Sequence, residues 1–146
     1  MGGYEGIIPH DEVVHLKCSM WSKMPGIYED KFHNLRAAYT YMAAPPGKKL
    51  LFMGQEFGHF IEWDEKRELD WFLLQYDSHR NLHNLSRELN KFYKEHPECW
   101  ENDENWEGFQ WASCNEADRN ALAFRRIAKD GSELLFVFNF CPNEYR

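Results

Sequence analysis

Two stretches of the chain repeat apolar residues at helical spacing. Between Tyr28 and Ala44, residues Phe32, Leu35, Tyr39 and Met42 recur at steps of three and four, which gathers them on one face of a helix. Ala37, Ala38, Ala43 and Ala44 favour that state. Glu29 and Asp30 suit its positive N-terminal end, and Pro45-Pro46-Gly47 ends it. A second helix is predicted from about Ser78 to Glu95, with Leu82, Leu85, Leu89, Phe92 and Tyr93 as its stripe. Asp77 or Ser78 is its expected cap and Pro97 its stop.

Between the helices, Leu50-Leu51-Phe52-Met53 is apolar at consecutive positions, bounded by Gly54 on one side, with Pro46-Gly47 lying before it on the other. That is the pattern of a strand buried on both faces, and helix, tight break, buried strand suits one αβ step of a (β/α) barrel. Gln55-Glu56-Phe57-Gly58 would then lie just past the strand's C-terminal end, the end that faces the active site in such barrels. Glu62 to Tyr76 is charged, with unevenly spread aromatics, and reads as an irregular loop pinned by its Trp residues.

The pattern changes near residue 99. Asn102-Asp103-Glu104-Asn105 is a polar break, followed by strand candidates at 109–114, 121–128 and 133–140. In the second of these, Leu122 and Phe124 share a face, but Arg126 falls on that same face and spoils the alternation. Lys129-Asp130-Gly131-Ser132 is a hairpin turn with Asp-Gly at its centre. An antiparallel β unit starts here. No internal repeat or low-complexity stretch interrupts the chain.

Composition narrows the function classes. The 146 residues are 43% hydrophobic, enough for a core, and the formal net charge of -7 with no basic face argues against a nucleic-acid partner. The four cysteines, Cys18, Cys99, Cys114 and Cys141, are widely spaced, so a structural zinc site is not expected and free thiols are. Met1-Gly2-Gly3-Tyr4-Glu5 lacks the basic residues and apolar core of a secretory signal. The longest apolar runs fall far short of a membrane span. The expectation is a cytoplasmic chain without membrane contact.

Candidate chemistry concentrates in the seventeen residues His10 to Gly26, which hold two histidines, two carboxylates, two lysines, a thiol and a tryptophan. Ile7-Ile8-Pro9 before them reads as a strand end feeding a loop. His10 and His15 are five apart, about 140° around a helix, and do not share a face as the two histidines of H-E-x-x-H do. His10-Asp11 is therefore open to two other readings. One is sugar chemistry, with the Asp stabilising developing positive charge and the His binding a hydroxyl. The other is a solvated turn with a capping Asp. Glu56 likewise has two readings: a substrate contact, or a structural carboxylate in the barrel mouth. His79 and His83, four apart on the second helix, have metal-compatible spacing but no matching ligand pair, and read as solvated helix-face histidines.

The longer stretch His10-Asp11-Glu12-Val13-Val14-His15, followed by Lys17, Ser19 and Lys23-Met24-Pro25-Gly26, resembles the last sequence motif of the α-1,4-glucan branching enzymes of the α-amylase superfamily. Further pieces agree in order: Lys31-Phe32, Asn34-Leu35-Arg36, Gly47 to Gly58, Glu62-Trp63, Leu69-Asp70-Trp71 and Gly108 to Trp111. The resemblance runs from about residue 7 to the end. It implies the last portion of a (β/α)8 barrel in residues 1–98, followed in 99–146 by the start of an antiparallel all-β C-terminal domain, truncated at residue 146: an α/β plus β fold.

The resemblance also implies a function. A branching enzyme cleaves an α-1,4 link, holds the glucan covalently and passes it to a 6-hydroxyl, using a carboxylate nucleophile and a second carboxylic acid. In the family both precede the His-Asp motif. Only nine residues precede it here, and Glu5 among them matches no motif, so neither group is expected within the chain. Asp11 matches the third family carboxylate, which stabilises the transition state. His10 matches the substrate-contacting histidine, and Glu56 is the further candidate for substrate binding. No metal or cofactor is implied; the implied partner is an α-glucan. Leu16 stands where family members typically have glycine, and Cys18 where many have a basic residue. Two hypotheses follow: a branching-enzyme segment inactive alone, or a non-enzymatic glucan-binding or oligomerising remnant. In either case, uncovered stripes and an open strand edge predict that the isolated chain self-associates or rearranges its helices and strands away from the barrel arrangement.

Overall fold

In the computed structural model of the chain, residue 13, residues 16–113 and residues 120–141 are described. In order they form α1 (Met20–Lys23), α2 (Tyr28–Ala43), α3 (Asp77–Glu95), and strands β1 (Phe109–Ser113), β2 (Ala121–Ile127) and β3 (Glu133–Asn139). Short 3-10 turns occupy Gln55–Phe57, Trp71–Gln75, Pro97–Cys99 and Trp106–Gly108. His10 and Asp11 lie outside the described residues.

The turn between α1 and α2 is held by polar side chains. Ile27 N–H donates to Asp30 Oδ2 at 3.2 Å, which satisfies one of the orphan donors at the start of α2. Lys31 Nζ donates back to the carbonyls of Met24 (2.6 Å) and Ser22 (3.0 Å) at the end of α1, and Asn34 Nδ2 donates to Pro25 O at 3.1 Å. Positive charge at a helix C-terminus is favourable. α2 then buries Phe32, Leu35 and Tyr39, the predicted stripe, against Leu82 of α3.

On α3 the stripe is shifted from the expected one. His79, Leu82 and Ser86 are its buried residues. Leu85 and Leu89 are half-buried at the edge of the core, and Phe92 is 37% exposed. His79 is thus a core residue and not a solvated one. Asp77 is the first helical residue and not its cap.

The expected strand at Leu50 to Met53 does not form. Leu50 makes a single β-bridge, Leu51 and Phe52 are irregular, and Met53 begins a turn with φ of 21°. Leu50 and Met53 are 46% and 51% exposed, not buried on two faces. A consecutive apolar run becomes a strand only when ladder partners flank it, and the sheet among the described residues is β1-β2-β3 alone. Residues 62–76 are irregular up to the Trp71–Gln75 turn, with Trp63 edge-on to Phe52 at 5.2 Å and Trp71 tilted on Phe57 at 5.3 Å.

The three strands are antiparallel neighbours with Trp111, Phe124 and Phe136 in register across the sheet. Phe124, Phe136 and Phe138 stack on its inner face. The end of α2 packs on them through Ala44 and Tyr41. The β2–β3 connection is a type of three-residue hairpin: Gly131 N–H donates to Ala128 O at 3.0 Å, and Gly131 takes a φ of 88°. The glycine closes a turn around Lys129 and Asp130, rather than sharing the centre of a two-residue loop with Asp130.

Arg126 explains the break in the β2 alternation. Its side chain is fully buried. Nε donates to Gly108 O at 3.2 Å and Nη1 to Ala44 O at 2.9 Å, while Nη2 pairs with Asp103. Asp103 also lies 3.8 Å from Lys48 Nζ. One guanidinium thereby joins the C-terminus of α2, the 102–108 connection and β2.

Removing one side of a buried pair leaves the other charge uncompensated. Arg126→Met is expected to lower the unfolding free energy by about 3–5 kcal/mol. Lys48→Ala, at an exposed partner of the same carboxylate, is expected to cost less than about 1 kcal/mol. Urea titration followed by tryptophan fluorescence measures both.

Candidate functional site

The stretch Gly54-Gln55-Glu56-Phe57-Gly58 is one 3-10 turn between two left-handed glycines, with φ of 84° at Gly54 and 71° at Gly58. Side chains at these positions would also collide. A Cβ on Gly54 would sit 2.9 Å from His59 Cβ, and one on Gly58 3.0 Å from the Phe32 ring. Gln55 Oε1 accepts from Phe52 N–H at 2.8 Å, Tyr39 Oη–H donates to Gln55 O at 2.9 Å, and Ser86 Oγ–H donates to Glu56 O at 3.1 Å. The turn is tied to both long helices.

Glu56 is half-buried and lines a cleft of about 430 Å³ together with Tyr39, Lys49, Leu50, Trp71 and Tyr93. That volume is in the range of small-ligand sites. Burial, and then the Glu56 charge, push the Tyr39 phenol above its ordinary range. Burial, and then the Arg126 charge, hold the Lys49 ammonium down at about 8. Lys49 Nζ donates to Pro45 O and lies 5.7 Å from the Tyr93 ring centroid.

A second cluster lies along the chain after the His10-Asp11 motif. Val13 is buried, and its carbonyl accepts from Trp63 N–H at 3.3 Å. Leu16 and Cys18 have φ of 68° and 65°, a left-handed backbone that residues with a Cβ rarely adopt. Glu62 takes both of their N–H groups, Leu16 at 2.7 Å on Oε1 and Cys18 at 3.0 Å on Oε2. Ser19 Oγ–H donates to Phe60 O at 2.8 Å. The left-handed φ at Leu16 is a conformation that glycine adopts without steric cost and leucine does not. The leucine side chain itself is 95% exposed and contributes little to offset the strain.

Two of the described histidines, His59 and His79, are built into the scaffold. His59 Nδ1–H donates to Ile61 O at 3.0 Å, and its Nε2 accepts from Asp70 N–H at 3.1 Å. His79 Nδ1–H donates to Phe57 O at 2.7 Å, and its ring meets Phe60 and Phe32 edge-on at 4.6 and 4.8 Å. Among the described residues no group of three or more His, Cys, Asp or Glu could hold a metal ion. Cys18, Cys99 and Cys141 are free thiols, and burial raises the Cys99 thiol to about 11. No helix among the described residues is long and apolar enough to cross a membrane. Of the site residues read from sequence, Glu56 alone is described. The Glu62 clamp was not read from the sequence; Glu62-Trp63 stood only as part of the resemblance.

No protein-family model matches the chain. Curated enzymes do. The chain is similar to part of a class of glucan-modifying enzymes, and the match covers nearly all of it. It is 50% identical over 138 residues to the 1,4-alpha-glucan branching enzyme GlgB of Butyrivibrio fibrisolvens, covering 94% of this chain and 22% of that protein. To the GlgB of Halothermothrix orenii it is 52% identical over 136 residues, 92% of the chain and 22% of the relative. To GlgB 1 of Clostridium perfringens it is 49% identical over 140 residues, 94% and 21%. The chain thus spans about a fifth of the length of the relatives it matches. The resemblance read from the motifs is to a C-terminal part of the 1,4-alpha-glucan branching enzymes, and these matches bear it out.

Two predictions come from this geometry. Leu16→Gly removes the left-handed penalty at an exposed position, offset in part by the freedom glycine gains on unfolding. It is expected to stabilise the chain by about 0.5–1 kcal/mol, read as a raised thermal midpoint. Burial, partly opposed by the bond to Phe57, lowers the His79 pKa below its ordinary 6.5. The folded state therefore favours the neutral ring. The stability this provides is present above 6.5 and is lost as pH falls from there through the folded value. In urea titrations at pH 7 and pH 5, the difference between wild type and His79→Gln should be larger at pH 7.

Proposed function

We propose that the chain is a segment of a 1,4-alpha-glucan branching enzyme, which transfers an α-1,4-linked glucan chain to a 6-hydroxyl. The observation that carries the reading is about 50% identity to such enzymes over 138 residues, with the His10-Asp11 motif in place. On this reading residues 1–98 are the closing portion of a (β/α)8 catalytic barrel, and 99–146 the beginning of a β domain. Asp11 stabilises positive charge developing on the sugar ring, His10 binds a sugar hydroxyl, and Glu56 contacts substrate from the cleft. The setting is cytoplasmic and the substrate an α-glucan. The nucleophile and the acid of the double displacement belong to other parts of the enzyme, so the 146-residue chain alone is inactive. The α2 and α3 stripes cover each other and no strand edge forms at Leu50 to Met53, so what supports self-association of that isolated chain is the exposure of Leu50, Met53, Trp71 and Phe72.

Amylose incubated with the purified chain should keep its iodine absorption, and any loss above a blank would refute inactivity. In a full-length branching enzyme carrying this segment, Asp11→Asn should reduce turnover about 10²–10³-fold, as loss of one electrostatic stabiliser does elsewhere, with the circular dichroism spectrum unchanged. His10→Ala should cost about 0.5–1.5 kcal/mol, the worth of one neutral hydrogen bond. A larger loss from His10→Ala than from Asp11→Asn would overturn the assignment of roles.

A further inference from the structure

We propose that the open edge of β3 docks β3 of a second copy of this chain, antiparallel, about a two-fold axis at Phe136. This rests on self-association of the isolated chain and names the surface that carries it.

The strand register shows which main-chain groups are open. Phe140 N–H donates to Asn120 O and Ala128 N–H to Ser132 O, both at 2.9 Å. Antiparallel neighbours exchange such bonds at every second pair. In the β2–β3 register the even-numbered residues of β3 therefore bond to β2, and Leu135 and Val137 turn N–H and C=O away from it. β3 ends the sheet on that side, and among the described residues no main-chain group bonds to these two there. Their side chains are 60% and 68% exposed. They share the outer face with Ala123, the cross-strand partner of Val137.

Sheet edges are commonly blunted by a bulge, a proline or a lysine. The opposite edge, β1, has a bulge, where its register with β2 shifts between Trp111 and Ser113. β3 pairs with β2 without a shift from Glu133 to Asn139 and contains neither proline nor lysine. Its charged residue, Glu133, is drawn to Arg125 of β2 at 3.5 Å.

The strand is also its own complement. An axis at Phe136 sets Leu135 opposite Val137 of the second copy, and Val137 opposite Leu135, so the open N–H and C=O groups meet each other in both directions. On the outer face each aliphatic side chain then meets an aliphatic one, the kind of cross-strand pair that stabilises a sheet. On the inner face Phe136 meets its own counterpart and Leu134 meets Phe138. Glu133 falls opposite Asn139, so no like charges face each other. The contact is short, at the low end of interface size, and the dimer should exchange with monomer.

Sedimentation of the 146-residue chain at tens of micromolar should give twice the 17.5 kDa of one chain, and a monomer there would overturn the proposal. Leu135→Lys with Val137→Lys, and separately Leu135→Glu with Val137→Glu, put like charges opposite each other and should weaken association by about a hundredfold or more. An equal mixture of the two variants should recover the dimer. A lysine variant that stays dimeric, or a mixture of folded variants that stays monomeric, would overturn the proposal. Should either variant fail to fold, amide exchange of the wild type decides: it should slow at Leu135 and Val137 by about tenfold as concentration crosses the dimer range, and exchange there that does not depend on concentration would overturn the edge. Phe72→Ser, outside β3, should leave the dimer intact. Dispersal by Phe72→Ser, with the dimer surviving the lysines, would leave self-association standing and refute the β3 edge alone.

Discussion

The buried guanidinium of Arg126 is the constraint on which the arrangement of helices and sheet depends. Two segments far apart in sequence present it with oxygen: Ala44 at the end of α2, and Asp103 with Gly108 in the connection before β1. A buried charge is tolerated only when paired and hydrogen-bonded. The sheet can therefore sit against α2 only where all three oxygens converge. The phenylalanines of the inner face supply apolar area, which is non-directional; the guanidinium supplies the position. Gly108 is part of the same constraint, since a Cβ there would lie 2.0 Å from the Asn102 carbonyl oxygen.

Several of the described residues that carry the motif resemblance have side chains bonded to backbone groups. Lys31 and Asn34 close the Met24-Pro25-Gly26 turn. Gly54 and Gly58 bracket the Glu56 turn, and Gln55 ties it to Phe52. Asp70 gives its N–H to His59 and accepts from Arg67. Glu62 holds the left-handed turns at Leu16 and Cys18. Irregular segments have no ladder or helical spiral to satisfy their backbone groups, so side chains must do it. That is why so many side chains of this loop-rich chain are committed to its own backbone.

Leu16 shows the cost of a left-handed turn at a residue that carries a Cβ. The left-handed φ is kept although the residue is leucine, because the Glu62 carboxylate and the neighbouring Trp63 and Ser19 contacts over-determine the backbone. Strain of this kind persists where surrounding contacts hold it.

Some of this was legible in the residues alone. The steps of three and four in Phe32, Leu35 and Tyr39 determined α2, and two apolar-rich runs around Asp130-Gly131 marked the β2–β3 hairpin, because both are properties of nearby residues. The branching-enzyme resemblance was legible because its motifs occur in order along the chain. Tertiary structure decided what depends on neighbours distant in sequence. It put His79 in the core, where the carbonyl of Phe57 meets its ring. It left Leu50 to Met53 out of a sheet, because no run of apolar residues can bring its own ladder partners. It turned Arg126, an apparent flaw in a strand, into the tie between sheet and helix, because only folding brings the oxygens of Ala44, Asp103 and Gly108 to one guanidinium.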